Sequence, residues 1–392
     1  MSEWKTVKLK DLLSYKGYIR GPFGSALRRG EMQQSGIPVY EQEHAINEIR
    51  HFRYFIDEKK YNELKRFTVV TDDIIISCSG TVGRISVIKK NDPIGIISQA
   101  LLILRSNPDI VDVNYLKYFL RSKVGQNALL ERSNGSVQVN ICKRKIIEEI
   151  PVPLPSLDTQ KNIAQILSSL DDQIELNAQI NHNLAEQAKA IFKSWFVDFE
   201  PFQDGKFVDS ELGQIPAGWR TGTFGEISRI SSGKRPIKKS ETKSADFMYP
   251  LIGASCVMGF TCDYLYDTPI IVTGRVGTHG IIQYFDEKCW PSDNTLVIQS
   301  DFLNFAYLYL QTIDFHSLNR GSTQPLITQT DIKKQLCPIA PINILADFED
   351  KLYALRAAIQ NNLSQNQKLA QLRDVLLPKL MSGEIDVSEV EV

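Results

Sequence analysis

Two long stretches of the chain are written to one plan, and that duplication limits what the chain can fold into. The middle one reads PSLDTQKNIAQILSSLDDQIELNAQINHNLAEQAKAIFKSWF and the later one APINILADFEDKLYALRAAIQNNLSQNQKLAQLRDVLLPKLM. An offset of about 185 residues pairs Ile163 with Phe348, Leu167 with Leu352, Leu170 with Leu355 and Leu184 with Leu369. Positions 163, 167, 170, 174, 177, 181, 184, 188, 191 and 195 alternate steps of four and three, the heptad seam of a helix packing along a partner. The first helix is expected from about Thr159 to Phe196, roughly 55 Å of rise, with Asp158 or Ser156 as its N-cap. Its seam is apolar at both ends and polar in the middle, at Asn177 and Asn181, and the repeat places Asn362 and Asn366 to match. A buried seam asparagine costs stability and fixes register. Asn177 and Asn362 are therefore candidates to set the register of a helix pair; the competing reading is solvated asparagine on a helix face.

Each helix follows a globular segment. Residues 1–155 read as mixed α+β, with strand-like runs at Phe67–Val70, Asp73–Ser77, Ile85–Ile88 and Ala100–Leu104 and a helix over Val113–Arg132. The prolines of Ile150–Pro155 exclude helix interior and predict an extended lead-in. Residues 156–197 form the central helix, and residues 198–341 hold a linker (Val197–Trp219 is poor in periodic apolar positions) and a second globule. Residues 342–392 are the second helix and tail. TGRVGTHGII (Thr273–Ile282) answers CSGTVGRISVI (Cys78–Ile88), each read as strand, Gly-rich turn and strand; GSTQPLITQTDIKKQLCPIAP (Gly321–Pro341) answers GSVQVNICKRKIIEEIPVPLP (Gly135–Pro155). The fold class is α+β: two similar mixed α/β domains, each followed by a long coiled-coil helix, in an internal repeat.

At 392 residues the chain has room for two or three domains with substantial cores. Its net charge of −1 hides a division: residues 1–155 balance at +7, 156–210 at −5, 211–341 at zero and 342–392 at −3. Cations thus belong to the globules, while the acidic helices suit protein partners better than phosphates. No apolar run is long enough to span a membrane and MSEWKTVKLKDLL lacks a signal peptide's apolar core, so a cytoplasmic location is expected. The six cysteines show no C-x-x-C pair and read as buried, reduced thiols. No metal site is expected from them.

With LPSLDTQKNIAQIL entering the first helix, FKSWFVDFEPF leaving it, SELGQIPAGW opening the second globule and LLPKLMSGEIDV closing the chain, the sequence resembles the DNA-specificity subunit of type I restriction–modification systems. The resemblance covers essentially the whole chain. It implies two target-recognition domains reading the halves of a split site on double-stranded DNA, separated by the two long helices packed antiparallel as a coiled-coil spacer. Such a pair has a pseudo-two-fold axis near its middle, across which Asn177 and Asn362 are expected to meet. It also implies two methyltransferase subunits as partners, restriction (translocase and nuclease) subunits joining them, and S-adenosylmethionine held by the methyltransferase. This chain itself would bind no cofactor.

Base reading needs side chains that reach base edges and cations on flanking phosphates. In the first globule GPFGSALRRG (Gly21–Gly30) offers a Gly-rich turn with Ser25, Arg28 and Arg29, and Arg20 and Arg84 are further candidates. In the second, SSGKRPIKK (Ser231–Lys239) carries Lys234, Arg235, Lys238 and Lys239, and the GRVGTHG turn carries Arg275, Thr278 and His279. Any one such cation reads equally as solvated surface charge. Gln138 and Gln324 recur in matched GSVQ and GSTQ segments, suited to adenine, to phosphate or to a structural turn. The GTVG and GRVG turns lack P-loop context and read as plain hairpin turns. No catalytic constellation emerges: the histidines at 44, 51, 182, 279 and 316 lack metal-ligand spacing. The Asn-Pro and Asp-Pro pairs continue as Asp109 and Ile94, not as an adenine methyltransferase tetrapeptide. The chain therefore reads as a non-catalytic recognition subunit; a self-contained methyltransferase with appended readers is the alternative, and a scaffold that ignores DNA a weaker third.

Overall fold

The computed structural model describes residues 4–132, 139–320 and 326–387. The chain divides into two compact units, residues 1–176 with 365–392, and residues 177–364. Each unit therefore owns one half of each long helix, a division that cuts across the four consecutive segments expected from the sequence.

In the first unit, strands Leu13–Arg20, Leu101–Ser106, Asp73–Ser77 and Ile85–Val87 form, in that order, an antiparallel sheet. Asp73–Ser77 is buried along its whole length. Ile74 and Ile76 face the helix Val113–Arg121 and the start of the long helix, while Ile75 faces Val39, Ile96 and Ile103. Cover on both faces is why this strand is a continuous apolar run instead of an alternating one. Its buried Asp73 is matched by Arg105, which donates to both carboxylate oxygens at 2.7 and 2.8 Å. A second sheet orders Phe55–Ile56, Ile37–Tyr40 and Ile96–Ile97, the last pair parallel. Lys5–Lys8 pairs with Pro151–Leu154 and leads into the long helix, as the proline-rich segment predicts.

The second unit repeats this topology. Arg229–Ser232, Thr295–Gln299, Ile270–Gly274 and Gln283–Phe285 form the four-stranded sheet. Val257–Thr261, Tyr249–Ile252 and Trp290–Pro291 form the three-stranded one, again with a parallel pair. Arg220–Thr223 pairs with Leu336–Ile339 ahead of the second long helix.

Both long helices are continuous, Leu157–Phe196 and Ile342–Met381. Ser156 accepts the Thr159 N–H at 3.2 Å, so Ser156 is the N-cap and Asp158 lies in the first turn, where its charge favours the helix N-terminus. The first helix ends at Phe196, its last turn closed by the Asp198 N–H to the Lys193 carbonyl, and the second ends at Met381, just before left-handed Gly383. Along both, every expected seam position is at least partly shielded, with Ile163, Leu167, Phe348, Leu352 and Leu380 fully buried. Within the first unit the helix halves run antiparallel: Asn162 donates to the Val387 carbonyl, Arg373 to Asp171, and Asn366 to the Ile174 carbonyl at 3.2 Å. In the second unit Phe192 packs on Phe348, and Asn181 donates to the Ile359 carbonyl at 3.3 Å. These two asparagine–carbonyl bonds are the same bond shifted by the repeat offset. Asn362 donates to Asn181 at 2.8 Å, one turn further along the first helix than the Asn177 partner expected. Asn177 is itself buried, not solvated.

Several sequence expectations fail locally. Phe67–Val70 is no strand: a 3-10 turn ends at Phe67, and Thr68 makes only an isolated bridge to Ile96. The helix expected over Val113–Arg132 is two helices, Val113–Arg121 and Lys123–Leu129, followed by strand Leu130–Arg132. Ser122 breaks it, accepting Gly125 N–H and donating to Phe119 carbonyl, so one serine closes one helix and caps the next. After Gly274 no strand resumes until Gln283, so Thr273–Ile282 is a strand end and a long turn. Val197–Trp219 is not slack linker. Phe199 and Phe202 pack edge-on against Trp219, and Phe207–Ser210 pairs with Gly213–Pro216. Cys256 and Cys262 are exposed, unlike the other four cysteines, because they fall on a peripheral hairpin.

Candidate nucleic-acid interface

Strand register decides which loops share a face. In the first unit Arg20 and Ile76 both lie opposite Leu102, so the loop after Arg20 and the turn after Ser77 leave from the same end of the sheet. In the second unit Ser232 and Thr273 both lie opposite Leu296, and the loops after them share the matching end. The candidates that were separate in sequence thereby fall on loops leaving one sheet end: Arg20, Arg28 and Arg29 with Arg84 in one unit, and Lys234–Lys239 with Arg275, Thr278 and His279 in the other. The two basic segments occupy one and the same topological connection, between the first strand of the four-stranded sheet and the central strand of the three-stranded one.

Each connection opens identically. Gly21 donates to the Leu101 carbonyl at 3.0 Å, and Gly233 to the Thr295 carbonyl at 3.1 Å. A Cβ on Gly21 would stand 2.0 Å from the Ser98 carbonyl oxygen, and one on Gly233 would stand 2.2 Å from that of Ser292. Only glycine permits so close a backbone crossing. The second loop is further pinned, since Lys234 donates to the Pro291 carbonyl and the Trp290 indole to the Lys234 carbonyl at 2.7 Å. Beyond these anchors the chains turn outward.

Arg28, Arg29, Arg84, Lys234, Arg235, Lys238 and Lys239 are exposed, and among the described residues none joins an ion pair. Structural arginines look different: Arg50 is held by Asp92, Ser86 and the Val87 carbonyl. Glu31 orders the first loop by accepting the Arg28 N–H and the Lys60 ammonium; those bonds hold its carboxyl below the usual range, despite burial's opposite pull. Arg20 is partly shielded, its guanidinium 5.9 Å from the Phe23 ring, with one nitrogen buried and unpartnered among the described residues. Arg275 is half-buried and serves backbone pairing, accepting Ile327 N–H and donating to Asn294. Thr278 is exposed, and the His279 ring lies edge-on to His316 at 5.3 Å. The side chain of Ser25 and the residues Gln138 and Gln324 lie outside the described residues, although Leu326 bridges Val276 at this same sheet end. Sequence reading passed over Phe23 and Ile237, both strongly exposed in these loops; the signal was a proline directly before each.

Among the described residues no cluster of His, Cys, Asp and Glu could hold a metal ion, and no helix is long and apolar enough to cross a membrane.

A family profile described as Type I restriction modification DNA specificity domain matches residues 1–186 and again 216–369. The MjaIX type I restriction enzyme specificity subunit of Methanocaldococcus jannaschii is 26% identical over 423 aligned positions, covering 99% of this chain and 95% of that one. The MjaVIII specificity subunit of the same organism is 30% identical, covering 99% and 94%. The HindI specificity subunit of Haemophilus influenzae is 23% identical, over 61% of this chain and 70% of its own. Among solved structures, the S subunit of a type I restriction–modification system from M. genitalium is similar in fold, with a TM-score of 0.58 and 16% identity across 96% of each chain.

Proposed function

The chain belongs to the type I restriction–modification DNA-specificity family, and from that premise we propose how its parts divide the work of reading a target. It is a DNA-recognition subunit and not the catalyst of its system. Each unit reads one half of a split site on double-stranded DNA through the loops at the shared end of its four-stranded sheet. The observation that carries this is the equivalence of the two basic connections: Arg28 and Arg29 in one unit, Lys234 to Lys239 in the other, leave the same place in the same topology. Unpaired cations there supply phosphate attraction, and neighbouring turns supply side chains for base edges.

The long helices act as an antiparallel coiled-coil spacer, and the Asn181, Asn362 and Asn366 bonds, with buried Asn177, hold its register. Their acidic outer faces receive protein, two methyltransferase subunits first and restriction subunits through them. S-adenosylmethionine is held by the methyltransferase, and the assembly works in the cytoplasm, where its DNA is. Purified chain incubated with labelled S-adenosylmethionine and DNA tests this division. Methyl transfer is expected only when the methyltransferase subunit is added; transfer by this chain alone would instead make it a self-contained methyltransferase. Comparing methylated adenines in the host genome with and without the gene would supply the sequence read.

A further inference from the structure

We infer that Phe23 and Ile237 are the side chains with which the two units make apolar contact with DNA bases, an inference that rests on the DNA-reading role proposed above. Phe23 is 69% exposed and Ile237 is 91% exposed. A single exposed hydrophobic residue needs no explanation. The same choice made twice, in the equivalent connection of two units whose loops otherwise differ in sequence, does. Each follows a proline, Pro22 or Pro236, whose ring fixes the backbone leading into it. Each lies just beyond the glycine locked under a serine carbonyl, Gly21 under Ser98 and Gly233 under Ser292. The apolar tip is thus carried on an anchored, stiffened stem.

The cations that share these loops identify the partner. Arg20 stands beside Phe23, with Arg28 and Arg29 following, while Ile237 is bracketed by Lys234, Arg235, Lys238 and Lys239. An exposed apolar side chain on a loop rich in exposed cations fits a ligand that is anionic outside and apolar within. Duplex DNA has that character, with phosphates flanking base steps and thymine methyl groups. A phenylalanine in one unit and an isoleucine in the other would favour different bases at the two half-sites.

The test uses the complex isolated through a tag on this chain, with a duplex carrying its mapped site and a scrambled duplex, titrated by fluorescence anisotropy at several salt concentrations. Phe23→Ala and Ile237→Ala are each expected to lower affinity for the cognate duplex about tenfold to hundredfold, the usual discrimination of one base pair. Affinity for scrambled DNA and the salt dependence should stay unchanged, and each variant should relax reading of one half-site only. Phe23→Lys and Ile237→Lys, which keep a long side chain but trade the apolar contact for charge, should lower cognate preference while tightening scrambled binding. Variants that leave cognate preference intact, or weaken both duplexes equally, would overturn the inference. A wild-type complex with no cognate preference would instead overturn the DNA-reading role itself. Because both side chains are exposed, unchanged melting curves are expected for all four variants.

Discussion

Gly21 and Gly233 show how one residue type sets the aim of a whole loop. The atoms a Cβ would strike are main-chain carbonyl oxygens, which cannot swing aside as a side-chain tip can. Gly21→Ala and Gly233→Ala are each expected to cost on the order of 2 kcal/mol, by forced backbone displacement, read as a lowered midpoint in urea. Alanine at Gly30, where nothing lies within 4 Å, should be tolerated. A Gly21→Ala protein as stable as the parent would mean that the backbone crossing can open without cost. The cysteines separate as sharply. Burial pushes the Cys78 thiol up to about 11 and those of Cys289 and Cys337 up to about 12, while Cys256 and Cys262 are exposed. Reaction needs an accessible thiolate. Brief alkylation at pH 8 followed by peptide mass mapping should label Cys256 and Cys262 and spare those three; early labelling of Cys289 would contradict the packing beneath the second unit's sheet.

At the scale of elements, the polar centre of the helices can be measured. Asn362 donates to Asn181, which donates onward to the Ile359 carbonyl, so the two side chains form one short network. Removing either partner leaves a half-buried amide without its bond, at a cost of about 1 kcal/mol. Asn181→Ala and Asn362→Ala should therefore each destabilise by about that much. The double variant should cost less than the sum by about 0.5 kcal/mol or more, a coupling that strict additivity would disprove. Replacing both by leucine should raise the melting temperature while loosening register. The first unit offers a pH test. Burial pushes the Asp171 carboxyl up, yet hydrogen bonds from Arg373 and Tyr118, with the nearby Arg373 and Lys117 charges, outweigh it and hold the group below its ordinary value of 3.8. A carboxyl lowered in the folded state adds stability above its unfolded pKa and loses it as pH falls through the folded one. Asp171→Asn should thus cost about 1–3 kcal/mol near neutrality, and the gap from wild type should shrink as acid denaturation is followed below about pH 4. A gap constant down to pH 2 would exclude Asp171 as its source.

For the whole molecule, the duplicated helices were legible because their seam is a one-dimensional pattern that the structure keeps residue for residue, from Ile163 to Leu380. The globules were legible only in part. Asp73–Ser77 announced itself as an apolar run, but Ser122 interrupts an unbroken helical pattern through its own hydroxyl bonds, and β-branched Thr68–Val70, following a 3-10 turn, pairs only through the isolated Thr68–Ile96 bridge. The proposed interface was legible as composition and not as geometry: basic clusters were visible, but their sharing one sheet end depends on Arg20 and Ile76 both facing Leu102, a register that tertiary packing sets. The net charge of −1 likewise says nothing of affinity, because counterion release depends on local cations. Each phosphate contact contributes about 0.9 to the slope of log affinity against log salt for duplex DNA. Arg28→Ala with Arg29→Ala should therefore flatten that slope by about 1.8, and Lys238→Ala with Lys239→Ala by about 1.8 again. The loops belong to different compact units, so the two losses should add, to about 3.6 in the quadruple variant. The measurement is a salt titration of the tagged complex on scrambled DNA, where base reading contributes nothing. A quadruple variant with the parental slope would move the phosphate contacts off these loops. A first pair that alone removed the whole slope would show that the second unit does not touch the backbone, and that the two readers, alike in topology, are unlike in use.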